Sequence, residues 1–128
     1  MESLINILLV FAGGGLGAVC RFVLSQYRIF DSAPYWGTMA VNISGCFIIG
    51  LLWTILHSIQ LPRSCHILCI TGFLGGYTTY SAFTNDAIIL IQSGMLWRGL
   101  MYIFITLVGG ISGYGAGVLA ARQFIHNN

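Results

Sequence analysis

The sequence predicts an all-α integral membrane protein: four transmembrane helices, the third broken near the bilayer midplane, in an antiparallel dual-topology homodimer. Three observations predict the spans and the break, and the balance of charge taken up below predicts the pairing. The chain of 128 residues is 57% hydrophobic and 6% charged, with mean hydropathy +0.88, far fewer ionic groups than a soluble surface of this size requires. Its apolar residues fall into four windows, each near the about 20 residues that a helix needs to cross about 30 Å of hydrocarbon. Within one window the stretch GGYTTYSAFT, Gly75 to Thr84, places two adjacent glycines and six hydroxyl side chains where lipid-buried sequence is ordinarily apolar.

The first window runs from Leu4 to about Tyr27. Its start carries Glu2 and no Lys or Arg, and the apolar run continues through GGGLGAV without an A-x-A-like site, so it reads as a retained helix rather than a signal peptide. The second runs from Trp36 to about His57, the third from Cys65 to about Gln92 and the fourth from Gly99 to about Phe124. Gly13 and Gly17, then Gly109, Gly113 and Gly117, repeat every four residues, which puts small residues on one helix face and predicts close backbone contact. The breaks RIFDSAPY, SIQLPRS and SGMLWR are too short to hold a domain, so residues 1–128 form one four-span membrane domain. Tyr35, Trp36 and Trp97 stand at their edges, where aromatic residues anchor helices at the interface. The four cysteines, Cys20, Cys46, Cys65 and Cys69, lie in apolar segments and read as small buried hydrophobes. Cys65, His66 and Cys69 share one helix end but supply three candidate metal ligands without a second pair.

All five basic residues are arginines, Arg21, Arg28, Arg63, Arg98 and Arg122, and the acids are Glu2, Asp31 and Asp86. A net charge of +2 offers no basic patch for nucleic acid. Four spans put Arg63 and Arg122 on one side of the membrane and Arg28 and Arg98 on the other, so the positive-inside rule casts almost no vote. A chain without topological preference inserts both ways and can pair about a two-fold axis in the membrane plane. The alternative is a single topology set by other factors.

Each intramembrane polar group needs a reason, because four small spans enclose no wide aqueous pore. Arg21, inside the first span, would either draw an anion toward a vestibule or hold loop carbonyls. Thr38 and Asn42 share one face of the second span, with Ser44 turned away from them; Asn42 either donates to a permeant anion or bonds a neighbouring helix. Tyr102 and Thr106 share a face of the fourth span with Gly109 and Gly113. In the third span a break at the glycine pair and threonines would free carbonyls, and four carbonyls from two antiparallel chains would suit a monovalent cation. Tyr80, Phe83 and Asp86 are spaced by three, so two rings and a carboxylate line one stripe, with ring edges able to solvate an anion. Thr79 and Ser81 add donors beside them, and no lysine is present to hold an anion tightly.

At these residues the chain resembles the small fluoride channels of the CrcB, or Fluc, family, through GGGLGAVCR in the first span, GTMAVNISG in the second and GFLGGYTTYSAFTND in the third. The resemblance implies an antiparallel dimer with two fluoride pores, a structural sodium ion at the dimer interface, and passive export of fluoride from the cytoplasm across a prokaryotic inner membrane. Its implied partners are fluoride, a second copy of the chain and membrane lipid. By similarity the sodium ligands are the backbone carbonyls of Gly75 and Thr78; the pore residues are Asn42, Tyr80, Ser81 and Phe83, with Thr79 and Thr38 beside them; and the vestibule arginine is Arg21. Tyr80 stands where the family has phenylalanine, Asp86 where members often have glutamate, and Tyr102 and Ser112 complete the set in the fourth span. Two rival readings are a small proton-coupled multidrug exporter, which needs a carboxylate buried in its first span that this chain lacks, and a non-conducting membrane assembly subunit. No nucleophile lies beside a plausible base, so an enzyme is not expected.

Overall fold

The computed structural model describes residues 1–25 and 35–127, and among them every regular element is helical. Helix α1 is Glu2–Ser25, and α2 is Tyr35–Ser58. Helix α3 covers residues 63–77: it starts as an α-turn at Arg63–His66, widens to π geometry over Ile67–Leu74 and returns to α over Gly75–Tyr77. Helix α4 is Tyr80–Gln92, and α5 is Leu96–His126. The first loop, with Tyr27, Arg28 and Asp31, lies outside the described residues.

Three helices, α1, α2 and α5, are long and apolar enough to cross a membrane by length and composition. The third expected span instead consists of α3 and α4 joined through an extended pair, Thr78 (φ −82°, ψ 155°) and Thr79 (φ −149°, ψ 118°). Helix α4 has 13 residues, which at about 1.5 Å of rise per residue reaches only about 20 Å. Only end to end do the halves approach the about 30 Å of a hydrocarbon core.

Of the stretch expected to break, only the threonine end does so. Gly75 and Gly76 are helical, and the chain departs from the helix at the two threonines. The reason is packing against α1: a Cβ on Gly76 would strike the Gly14 carbonyl, and one on Gly17 would strike the Phe73 carbonyl and come within 2.8 Å of the Tyr77 nitrogen. Gly72 meets Gly13 in the same seam, at 3.1 Å from its added Cβ to the Gly13 Cα. The glycines thus keep α3 close to α1 rather than breaking it.

The four-residue glycine spacing in α5 serves the contact foreseen for it. Gly113 and Gly117 face the Ile43 and Phe47 carbonyls of α2, while Gly50 of α2 faces the backbone of Tyr114. Helix α2 therefore packs chiefly on α5, and α1 chiefly on α3. Two small apolar clusters result, one on either side of the break. Val41, Leu74 and Tyr77 form the cluster on the α3 side; Phe83, Ala87, Leu90 and Tyr102 form the one on the α4 side. At the far end of α2, the ring centroids of His57 and His66 lie 5.3 Å apart, and Trp53 stacks on His57 at 4.8 Å.

Candidate functional site

A helix that stops in mid-protein leaves its last carbonyls and the next helix's first amides without intrahelical partners. The ladder of α3 ends with the Thr78 N–H on the Leu74 carbonyl, 3.0 Å away, so Gly75, Gly76 and Tyr77 have no helical donor ahead of them. Two side chains take up part of that deficit. Arg21 donates from Nε to the Gly76 carbonyl at 3.1 Å. Asn42 gives its Nδ2 to the Thr79 carbonyl at 3.0 Å and accepts the Thr79 N–H on Oδ1 at 2.8 Å, pairing both halves of its amide with one residue.

Thr79 also starts α4. Its Oγ1 accepts the Ala82 N–H at 3.3 Å, an N-cap of the kind threonine favours, and lies 3.1 Å from Ser81 Oγ. Thr78 turns its own hydroxyl back to the Leu74 carbonyl at 2.9 Å. The side chains at the break are thus engaged locally, while backbone carbonyls remain.

Peptide planarity decides where one of those carbonyls points. The Thr79 N–H faces Asn42, and the Thr78 C=O lies trans to it across the same peptide plane, so that oxygen points away from Asn42 and α2. Gly76 and Thr79 are spoken for by Arg21 and Asn42. Gly75 and Thr78, the residues whose carbonyls the family resemblance implicates, border a cavity of about 590 Å³, and a carbonyl oxygen is the hard, uncharged donor that a monovalent cation accepts.

The same cavity is bordered by Asn42, Thr79, Tyr80 and Phe83, four of the residues expected along an anion path. Tyr80 is 79% exposed and Phe83 is buried, their rings 5.7 Å apart and tilted at 47°. The rings continue from Phe83 to Tyr102 at 5.5 Å and from Tyr102 edge-on to Tyr35 at 5.7 Å. The buried Tyr102 sends a long hydrogen bond of 3.5 Å to Asp86, with Thr38 also at its hydroxyl. Polar atoms and rings therefore follow one another from the break toward the start of α2. Ser81 is exposed beside Thr79, whereas Ser112 is exposed on α5 and does not border the cavity.

Arg21 lies on a carbonyl, that of helical Gly76 rather than of a loop. For Asn42 it shows a bond to a neighbouring segment, made to backbone rather than to a side chain. Sequence reasoning missed Tyr77 and Ser44. The Tyr77 hydroxyl lies 2.9 Å from Ser44 Oγ, and Ser44, although turned away from Asn42 on α2, meets the same broken segment. Two polar groups in otherwise apolar helices were the available signal.

Comparison with known proteins places this arrangement in context. Residues 8–118 match the model of the family described as CrcB-like protein, Camphor Resistance (CrcB). A protein of Rhizobium meliloti named fluoride-specific ion channel FluC is 39% identical over 123 residues, covering 94% of this chain and 98% of the relative. Proteins of the same name from Phocaeicola vulgatus and Desulfotalea psychrophila are 38% and 30% identical, covering 88% and 98% of this chain and 95% and 98% of their own lengths.

Proposed function

This chain belongs to the CrcB-like family, and on that premise we propose that it is a fluoride-specific ion channel, as its relatives are named. An ion-channel family is not an enzyme class. The observation that supports the reading most directly is the broken third segment, held by Asn42 and Arg21, with hydroxyls and ring edges following it along α4.

Fluoride is small and strongly hydrated, so a path for it must replace water donors yet let the ion leave. Around the break the Thr79, Ser81 and Tyr80 hydroxyls supply donors, and the Asn42 Nδ2 has a second hydrogen besides the one given to Thr79. Phe83 and Tyr80 supply ring edges, whose partial positive charge solvates an anion weakly. With no lysine in the sequence, no fixed ammonium traps the ion there. Flow is passive and electrodiffusive, and it lowers cytoplasmic fluoride.

The chain works as an antiparallel dual-topology homodimer of four-span subunits, with two pores, in a prokaryotic inner membrane. Its near-even distribution of terminal arginines supports insertion in both orientations. The Gly75 and Thr78 carbonyls of both chains would hold a structural sodium ion, whose positive charge would offset the carbonyl dipoles.

Reconstitution into liposomes loaded with fluoride tests the function, with a fluoride electrode following efflux. Rapid fluoride loss without chloride loss, and without need of a pH gradient, is the expected result. Purified protein that releases no fluoride would end the channel reading.

A further inference from the structure

We propose that the Ser44–Tyr77 hydrogen bond is a latch that orients the Gly75 and Thr78 carbonyls, making Ser44 and Tyr77 positioning residues for the cation. The inference rests on the reading of those carbonyls as cation ligands. It begins with a proton count. Ser44 has one hydroxyl proton, which Oγ can give to the Val41 carbonyl at 3.1 Å. With that proton on Val41, the 2.9 Å contact between the hydroxyls is made by Tyr77 donating to Ser44; with it turned to Tyr77, the same contact runs the other way, and either direction ties the ring to α2.

Tyr77 is the last helical residue before the break, 7% exposed, with its ring stacked on Phe73 at 6.0 Å and 8°. The next residue, Thr78, lies against Gly45, where an added Cβ would strike the threonine methyl. The one after, Thr79, is pinned at both backbone groups by Asn42. Three successive residues, 77, 78 and 79, are thus docked on Ser44, Gly45 and Asn42 of a single helix.

This bracket has a geometric consequence. Asn42 fixes the plane of the peptide that carries the Thr78 carbonyl, and the Tyr77 hydroxyl fixes the rotation of the last turn of α3, which carries the Gly75 carbonyl. Between the two anchors lies Thr78, tied back to the Leu74 carbonyl by its N–H and its hydroxyl. Loss of the Tyr77 anchor leaves that turn held by Arg21 on Gly76 and by its packing on α1 but removes its side-chain tie to α2, so the angle between the Gly75 and Thr78 oxygens loses one restraint. A cation must then order the site as it binds.

The test is a sodium titration, with choline as the replacement ion, of the melting temperature of the purified full chain, paired with liposome fluoride efflux at each sodium concentration. Tyr77→Phe keeps the ring and leaves Ser44 still bonded to Val41. It should raise the sodium concentration at half-maximal stabilisation about fivefold, the scale of one neutral hydrogen bond. Its efflux should be slow at low sodium and recover as sodium rises. Ser44→Ala reads the same bond from the other side, and the double variant should shift the midpoint no further than the larger single change. A sodium-responsive wild type whose midpoint is unmoved by Tyr77→Phe, or strictly additive single effects, would overturn the latch alone. A wild type with no sodium response overturns the cation reading, and the latch with it.

Discussion

Asn42 commits its amide to the two backbone groups of Thr79, and this determines what a substitution there must do. Alanine removes one donor and one acceptor at once, each hydrogen bond worth about 1 kcal/mol net, so Asn42→Ala should cost about 2 kcal/mol of stability. Thermal unfolding measures that loss, and fluoride efflux from liposomes should slow while size-exclusion chromatography finds the same oligomeric state as in the unsubstituted protein. That residue types matter at positions 21 and 42 was legible in sequence, because an arginine and an asparagine inside apolar spans are costly without partners. Their partners were not legible. The Gly76 and Thr79 backbone groups became available only once the helix ended between them, which is a tertiary event. Tyr77 escaped notice for a related reason: its hydroxyl reads like its neighbours in GGYTTYSAFT until the fold sets it against Ser44.

Among the elements, the glycines carry the sharpest contrast. Gly17 and Gly76 sit where an added Cβ would strike backbone of the facing helix, whereas a Cβ on Gly15 would meet nothing within 4 Å. Gly17→Ala should therefore push α1 away from α3 and destabilise the protein by about 1–3 kcal/mol, as overpacking does. Gly15→Ala should be neutral or stabilising by up to about 1 kcal/mol through helix propensity. Melting temperatures of the two variants, compared side by side, check the difference. The four-residue spacing announced these seams, because it fixes a helix face whatever the partner. The position of the break was harder to read. Propensity favours breaking at a glycine pair, yet close packing on α1 keeps Gly75–Tyr77 helical, and the chain instead leaves at two β-branched threonines, one of which caps α4.

Taken as a whole, the chain leaves large apolar side chains outward along most of its length: Phe11 and Leu16 on α1 and Phe104 and Ile111 on α5 are each more than half exposed. No large side chain falls below 2% exposure among the described residues. Such a thin interior suits a protein whose outer surface meets lipid or a second copy, because lipid tails match apolar side chains without a tight core. Dual topology makes a prediction at this scale. C-terminal fusions to a reporter active only in the cytoplasm and to one active only outside it should both give signal. Signal from a single reporter would refute insertion in both orientations. A further Lys or Arg pair placed beside Arg122 should bias the balance toward a cytoplasmic C-terminus.

Composition and periodicity alone determined that this is a helical membrane protein, where its apolar segments lie, which faces carry small residues, and that the third segment departs from ordinary lipid-buried sequence. Those properties follow from hydration cost and helical repeat, which act on each segment separately. The tertiary structure decided the rest: that the glycine pair is helical, that Arg21 and Asn42 are used on backbone, and that Gly75 and Thr78 border the cavity. The physical reason is that an unpaired backbone group takes whichever donor or acceptor packing brings near. That neighbour belongs to another helix, 37 residues away for Asn42 and Thr79 and 55 for Arg21 and Gly76.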